Sequence, residues 1–206
     1  MIVAVNRELG AGGLSVGEAL AAEFGATLLD ERALIAELAQ RGGFSAEYLA
    51  RVDERPPSLA SAFMEDLAKA TLLVAAMELR TNERAVLDEV RDVVLHHARA
   101  GDVVLIGHGG AKLMETSVPR RDLFSILLHA RRAWRVERVM YRFRLGRKAA
   151  EDRVRRIDEL RRRYIRHFFE QELFDAQAYD LVVDTERVGM DAAIDLAKTA
   201  VRAARS

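Results

Sequence analysis

The 206-residue chain contains no cysteine, which excludes disulfides, thiolate-bound metals and redox chemistry resting on a thiol. It has no apolar run of the length needed to span a bilayer. Its first residues, MIVAVNRELG, carry no basic region ahead of an apolar stretch, so they read as a strand and not as a signal peptide. A cytoplasmic protein is the expectation. Formal net charge is also absent, with 32 Lys+Arg against 32 Asp+Glu. No internal repeat or low-complexity segment interrupts the chain. No His/Asp/Glu cluster has structural-metal spacing, so any Mg²⁺ is expected to arrive with a nucleotide.

What is present fits one soluble domain spanning 1–206: half the residues are hydrophobic and 31% are charged, enough for a sizeable core. The zero net charge hides an asymmetry. Residues 119–170 hold seventeen Lys+Arg and seven Asp+Glu, so this segment is strongly positive and the remainder equally negative. One part of the molecule is suited to meet anions.

Apolar runs and glycine stops set the expected elements. Ile2 to Asn6 reads as a buried strand, followed by a helix from about Leu14 that stops at Gly25. A strand over Ala26–Asp30 and a helix closed by Gly42 and Gly43 continue a βαβα order. Ser45 is a candidate cap for a short helix ending at Pro56 and Pro57. From Leu59 to Ala98 the sequence is helix-forming, with a break near Thr81–Asn82 and a stop at Gly101. Strands are expected in DVVLIGHGG, in DLFSILLHA after Pro119 and in YDLVVDT from Tyr179. Between the last two strands, residues 131–174 read as helical except at Gly146. A last helix begins at Gly189. Five buried-type strands separated by helices predict a doubly wound α/β sheet with ligands beyond the carboxyl ends of the strands.

The stretch VNRELGAGGLSVGEAL, Val5 to Leu20, is a strand, a glycine loop and a helix start. Backbone N–H groups at such a junction can hold phosphate, because the first helical turn has unpaired donors and a partial positive charge. No lysine follows the glycines, and Gly13 stands where the P-loop lysine would be. Two other readings stay open. Gly10-x-Gly12-x-x-Ser15 is one substitution from a dinucleotide-binding fingerprint, with Asp30 placed to meet a ribose, which would make the protein a Rossmann-type NAD(P)-binding oxidoreductase. The glycines can also simply make a tight turn.

NRELGAGGLSVGEALA resembles the opening of the cytidylate kinase-like P-loop proteins, relatives of the nucleoside monophosphate kinases whose loop lacks the lysine. The likeness continues through LLDERALIAELA, VVLIGHGGAKLM, the arginine-rich RVERVMYRFRLGRKAAEDRVRRIDELRRRYIRHFF and AYDLVVDTERVG, in the family's order. It covers most of the chain, least so about 56–87. The resemblance implies a P-loop NTPase-type three-layer fold, strand order 2-3-1-4-5, and a helical lid at about 146–172. It also implies an acceptor-side helical region at about 31–98. ATP with Mg²⁺ would be bound, and a nucleoside monophosphate, CMP or dCMP first, would be the acceptor.

Carried over by position, Gly10, Ala11, Gly12, Gly13, Leu14 and Ser15 form the phosphate loop. Arg135 and Arg138 match arginines that follow the fourth strand and would hold the nucleotide. Arg156, Asp158, Arg161 and Arg163 match the lid cluster, which would act in catalysis by neutralising charge at the γ-phosphate in place of the lysine. Asp30 and His108 fall on the acceptor side, with Arg7 the arginine beside the loop. Two positions depart from the family pattern: Ala36 and His108 stand where arginines are usual.

Helical spacing offers a plainer account of the lid: Asp158 faces Arg155, Arg161 and Arg162, and Glu159 faces Arg155, Arg156 and Arg163, a self-compensated solvated surface. Ile157, Leu160, Tyr164 and Phe168 make a narrow apolar stripe on the same helix, which therefore docks along one side. Nucleic acid is not expected as the main partner, because the acidic half balances the basic one and no aromatic-interleaved basic loop occurs. His96 and His97 read as structural or exposed, and Trp134 as a packing residue. The leading expectation is an ATP-dependent kinase of a small acceptor. A degenerate nucleotide-binding regulatory protein comes second and the oxidoreductase third.

Overall fold

A computed structural model describes residues 1–41 and 83–205. The features expected at Gly42–Gly43, Ser45, Pro56–Pro57 and Thr81–Asn82 lie outside the described residues. The elements are β1 (Ile2–Arg7), α1 (Gly13–Phe24), β2 (Thr27–Leu29), α2 (Glu31–Gln40), α3 (Glu83–Ala100), β3 (Val103–Ile106) and α4 (Gly110–Glu115). They continue with β4 (Leu123–His129), α5 (Arg132–Phe143), α6 (Arg147–Phe169), β5 (Leu181–Asp184), α7 (Thr185–Val188) and α8 (Met190–Arg205).

The five strands form one parallel sheet in the order β2-β3-β1-β4-β5. Ala4 of β1 lies between Leu105 of β3 and Ser125 of β4. In this order β3, not β2, is the neighbour of β1, which removes the Rossmann reading, since that fold places its second strand beside its first. The first crossover therefore skips a strand position. It leaves a crevice between the loop after β1 and the end of β3, where α/β sheets bind ligands.

Both faces of the sheet are covered, so its strands are apolar on both sides. Alternate residues part into two cores. Ile2, Ala4, Val103 and Leu105 face Leu34 and Leu38 of α2, Val90, Val93 and Val94 of α3, and Leu113 and Met114 of α4. Val3, Val5, Val104, Ile126 and Leu128 face Val16 and Leu20 of α1 and Ala193, Ala197 and Val201 of α8. The small alanines on α8 let that helix lie close to the sheet.

Boundaries differ from expectation where local chemistry intervenes. The basic helical stretch breaks over 144–146: it is interrupted as expected at Gly146, which becomes the N-cap of α6, but the break begins earlier, at Arg144, which takes a left-handed conformation (φ 52°). It also ends at Phe169, with Glu170 left-handed (φ 51°), and not near Phe174. Two short helices, α4 and α7, were not anticipated. The second is capped by Asp184, which accepts from the N–H groups of Glu186 and Arg187 at 3.1 Å, as N-cap aspartates do.

Leu105 is fully buried in β3, among residues of the first core. Leu105→Ala is expected to cost about 2–5 kcal/mol. In urea denaturation this appears as a lowered midpoint with an unchanged slope.

Candidate functional site

The chain leaves β1 at Arg7, makes a tight loop and starts α1 at Gly13. Gly10 (φ 86°) and Gly12 (φ 91°) are in the left-handed region that favours glycine. A Cβ at Gly10 would also strike the Arg135 carbonyl oxygen at 2.8 Å. Gly12 is the N-cap of α1 and offers no capping side chain. The first-turn donors of Gly13, Leu14 and Ser15 are therefore left to solvent or a ligand, with the positive end of the helix dipole behind them.

This loop borders a cleft of about 850 Å³ that takes in Gly10, Gly12, Gly13, Leu14 and Ser15. Ala11 is buried under the loop and faces the core, its N–H bonded to the Glu8 carbonyl at 3.2 Å. The opposite wall comes from α5 and α6: Trp134, Arg138 and Phe143 from the former, Arg153, Ile157 and Arg161 from the latter. Arg138 donates from Nε to the Gly10 carbonyl at 3.1 Å and lies 4.7 Å from the Trp134 ring centroid, a cation–π contact. Arg153 lies 4.0 Å from the Phe143 ring centroid. Trp134 is thus half-buried at the cleft wall and not a packing residue of the core.

Arg135 and Asp158 lie behind the loop, not in the cleft. Arg135 is 4% exposed. It donates to Glu8 Oε1 at 3.0 Å, to Asp158 Oδ2 at 2.6 Å, to the Leu9 carbonyl at 3.0 Å and to the Ala130 carbonyl at 2.9 Å. The second Asp158 oxygen accepts the Leu9 N–H at 2.9 Å. Burial pushes the Glu8 carboxyl above its usual range, against the pull of Arg135. This corrects the expected pairing of Asp158 with its own helix: its ion-pair partner comes from α5. The arrangement gives Asp158 and Arg135 the task of holding the loop's backbone from behind, linking α5 and α6 to Leu9.

The other lid residues separate by face. Arg161 borders the cleft and donates to the Arg7 carbonyl at 3.4 Å. Arg156 is exposed and does not line the cleft. Arg163 is 72% exposed and pairs with Glu159 at 3.0 Å, as helical spacing anticipates. Arg153 was missed, although it stands four and eight residues before Ile157 and Arg161, the helical spacing of one face. The apolar side of α6 is broader than the expected stripe. Val154 packs with Val136 and Val139 of α5, and Ile165 with Leu127 and Leu173. This lid helix is docked along its length.

A smaller cavity of about 80 Å³ lies between Asn6, Arg7, His108, Arg161, Tyr164 and Leu173. His108 is left-handed (φ 58°) between Gly107 and Gly109, and its carbonyl accepts from the Tyr164 hydroxyl at 3.1 Å. Burial, then the charges of Arg7 and Arg161, pushes the imidazole down to about 3. It is neutral near pH 7 and brings no charge to this position. Asp30 reaches the large cleft, but one of its oxygens caps α2 through the Ala33 N–H at 2.8 Å. Ala36 is exposed. His96 is exposed, while His97 approaches Glu37 of α2 at 3.6 Å. Among the described residues no group of three or more His, Asp or Glu could hold a metal, and no helix is long and apolar enough to cross a membrane.

A family model described as the cytidylate kinase-like family matches residues 2–187. The chain belongs to this family. No curated protein gives a match. Among solved structures, an uncharacterized protein from Eubacterium ventriosum is similar, with 17% identity over 98% of each chain and a TM-score of 0.68. TT1252 from Thermus thermophilus is similar at 22% identity, over 100% of this chain and 98% of the other, with a TM-score of 0.53. At these identities the neighbours speak for the fold alone. Membership of the cytidylate kinase-like family and the strand order together support a P-loop kinase-like fold.

Two measurements check the site's electrostatics. Arg135→Met strands two buried carboxylates and is expected to cost about 3–5 kcal/mol of stability, read in urea. His108 binds fewer protons folded than unfolded, because its folded value lies near 3 and its ordinary value is 6.5. Its contribution to stability is therefore complete above about pH 6.5 and is lost as pH falls through that window toward about 3. His108→Asn, which tolerates the left-handed backbone, should flatten this part of the stability profile.

Proposed function

We propose that the protein is a nucleotide-dependent phosphotransferase that binds a nucleoside triphosphate, ATP first, and passes its terminal phosphoryl group to a small acceptor. The observation that carries this reading is the lysine-less glycine loop, with the first-turn donors of α1 bordering a cleft whose far wall holds Arg138, Arg153 and Arg161. Backbone N–H groups on one side and arginines on the other are what a polyphosphate requires. In the reaction an acceptor oxygen bonds to the γ-phosphorus, the bond to the β–γ bridging oxygen breaks, and the acceptor proton passes to solvent. Little covalent chemistry falls to the protein, whose part is positioning and electrostatic stabilisation. Mg²⁺ would come bound to the phosphates, since the described residues offer no metal cluster of their own.

CMP or dCMP is the first acceptor to test, by resemblance to the family's name. A neutral His108 and the exposed Ala36 supply no cation for an acceptor phosphate. That observation favours, as a second reading, a nucleotide-binding regulatory protein without transferase activity. A coupled assay of ADP release across nucleoside monophosphates and other small acceptors separates the two. Turnover with any acceptor, reduced at least tenfold by Arg161→Ala, is the expected result. ATP binding without turnover for any acceptor leaves the regulatory reading.

A further inference from the structure

Gly13 opens α1 where a P-loop lysine would stand, and the space beside it is filled. A Cβ there would lie 2.7 Å from Arg7 Cγ and 3.0 Å from Cδ, so a lysine does not fit while Arg7 keeps its place. The same side chain crosses to the end of β3, where a Cβ at Gly107 would lie 2.0 Å from Arg7 Nη1 and 3.1 Å from Cζ. Two glycines on neighbouring segments, one at the loop and one after β3, leave a passage that one arginine occupies. Arg7 borders both the large cleft and the smaller cavity.

Several of the other arginines are engaged elsewhere, Arg153 over the Phe143 ring among them. Arg135 is enclosed with Glu8 and Asp158. Arg156 and Arg163 point away from the cleft, and Arg138 is held on the Gly10 carbonyl over Trp134. Arg161 approaches from α6 and reaches the Arg7 carbonyl.

We propose that the Arg7 guanidinium, delivered from the last residue of β1 through the gap left by Gly13 and Gly107, supplies the cation at the terminal phosphate that a P-loop lysine would supply from α1. The inference rests on the phosphotransferase reading above. A guanidinium suits the role because its planar fork can donate to two phosphate oxygens at once. Burial, with Arg161 adding to it, pulls Arg7 down to about 9, while Glu31 and Asp30 oppose the shift. It stays cationic at neutral pH, and an incoming anion relieves the unfavourable burial of its charge. The cation is built into the last residue of β1.

The test is the ratio of ATP to ADP affinity, measured by calorimetry with Mg²⁺ on the full chain. Arg7→Met keeps the stem and removes the charge. It is expected to reduce the preference for ATP over ADP about tenfold to a hundredfold, the worth of a charge-assisted hydrogen bond, and Arg7→Lys should restore part of it. Gly13→Ala, which leaves Arg7 in the sequence but displaces its stem, should reduce the same ratio. An unchanged ratio in Arg7→Met and Gly13→Ala overturns the proposal. So does a loss confined to CMP affinity, which would place Arg7 with the acceptor. A wild-type chain that binds neither nucleotide overturns the phosphotransferase reading itself, and the proposal with it.

Discussion

The site depends on one buried ion pair cluster. Arg135 spans Glu8 and Asp158 while its remaining donors, and the second Asp158 oxygen, hold the carbonyl and N–H of Leu9. Each of these charges would cost several kcal/mol if buried alone, so no partner is dispensable. Because the three residues come from the loop, α5 and α6, the cluster sets the distance between the glycine loop and the arginine-bearing wall opposite. A phosphate cradle of the proposed kind, made of backbone N–H groups, has no side chain to adjust, and its position has to be fixed from behind. The cluster does that and leaves the face toward the cleft clear.

In front of the loop the electrostatics are divided differently. Gly13, Gly107 and Arg7 form a matched set in which two missing side chains make room for one long one. Arg161 then bonds to the Arg7 carbonyl from α6, and α6 is anchored again where Tyr164 reaches His108. This helix is thereby tied to β1 and to the loop after β3, two segments that border the smaller cavity. His108, kept neutral by burial and by these arginines, adds no competing cation.

Much of the fold was legible in the chain. Apolar runs marked the strands, two of which, β1 and β3, lead into glycines, and β3 is apolar and buried at every position. Strand order was not legible from pattern alone, because periodicity carries no information on which strand lies beside which. The family resemblance implied the order, and the pairing of β1 with β3 shows it. The glycine turn into α1 was legible at Gly10 to Gly13, where conformation is a local property. The site was misread at Asp158, since helical spacing sees only partners three or four residues away and Arg135 lies 23 residues back. Arg144 was missed as a helix end because left-handed arginine is uncommon. Arg7 looked like a residue beside the loop, and only the tertiary contacts at Gly13 and Gly107 reveal that it passes through it.

The central claim is that a lysine-less loop holds the phosphates on its backbone N–H groups. Amide chemical shifts recorded while Mg²⁺ and a non-hydrolysable ATP analogue are added test this most directly. The account predicts the largest changes at the N–H groups of Gly10, Gly12, Gly13, Leu14 and Ser15. Saturable binding that leaves those five amides unmoved would contradict it.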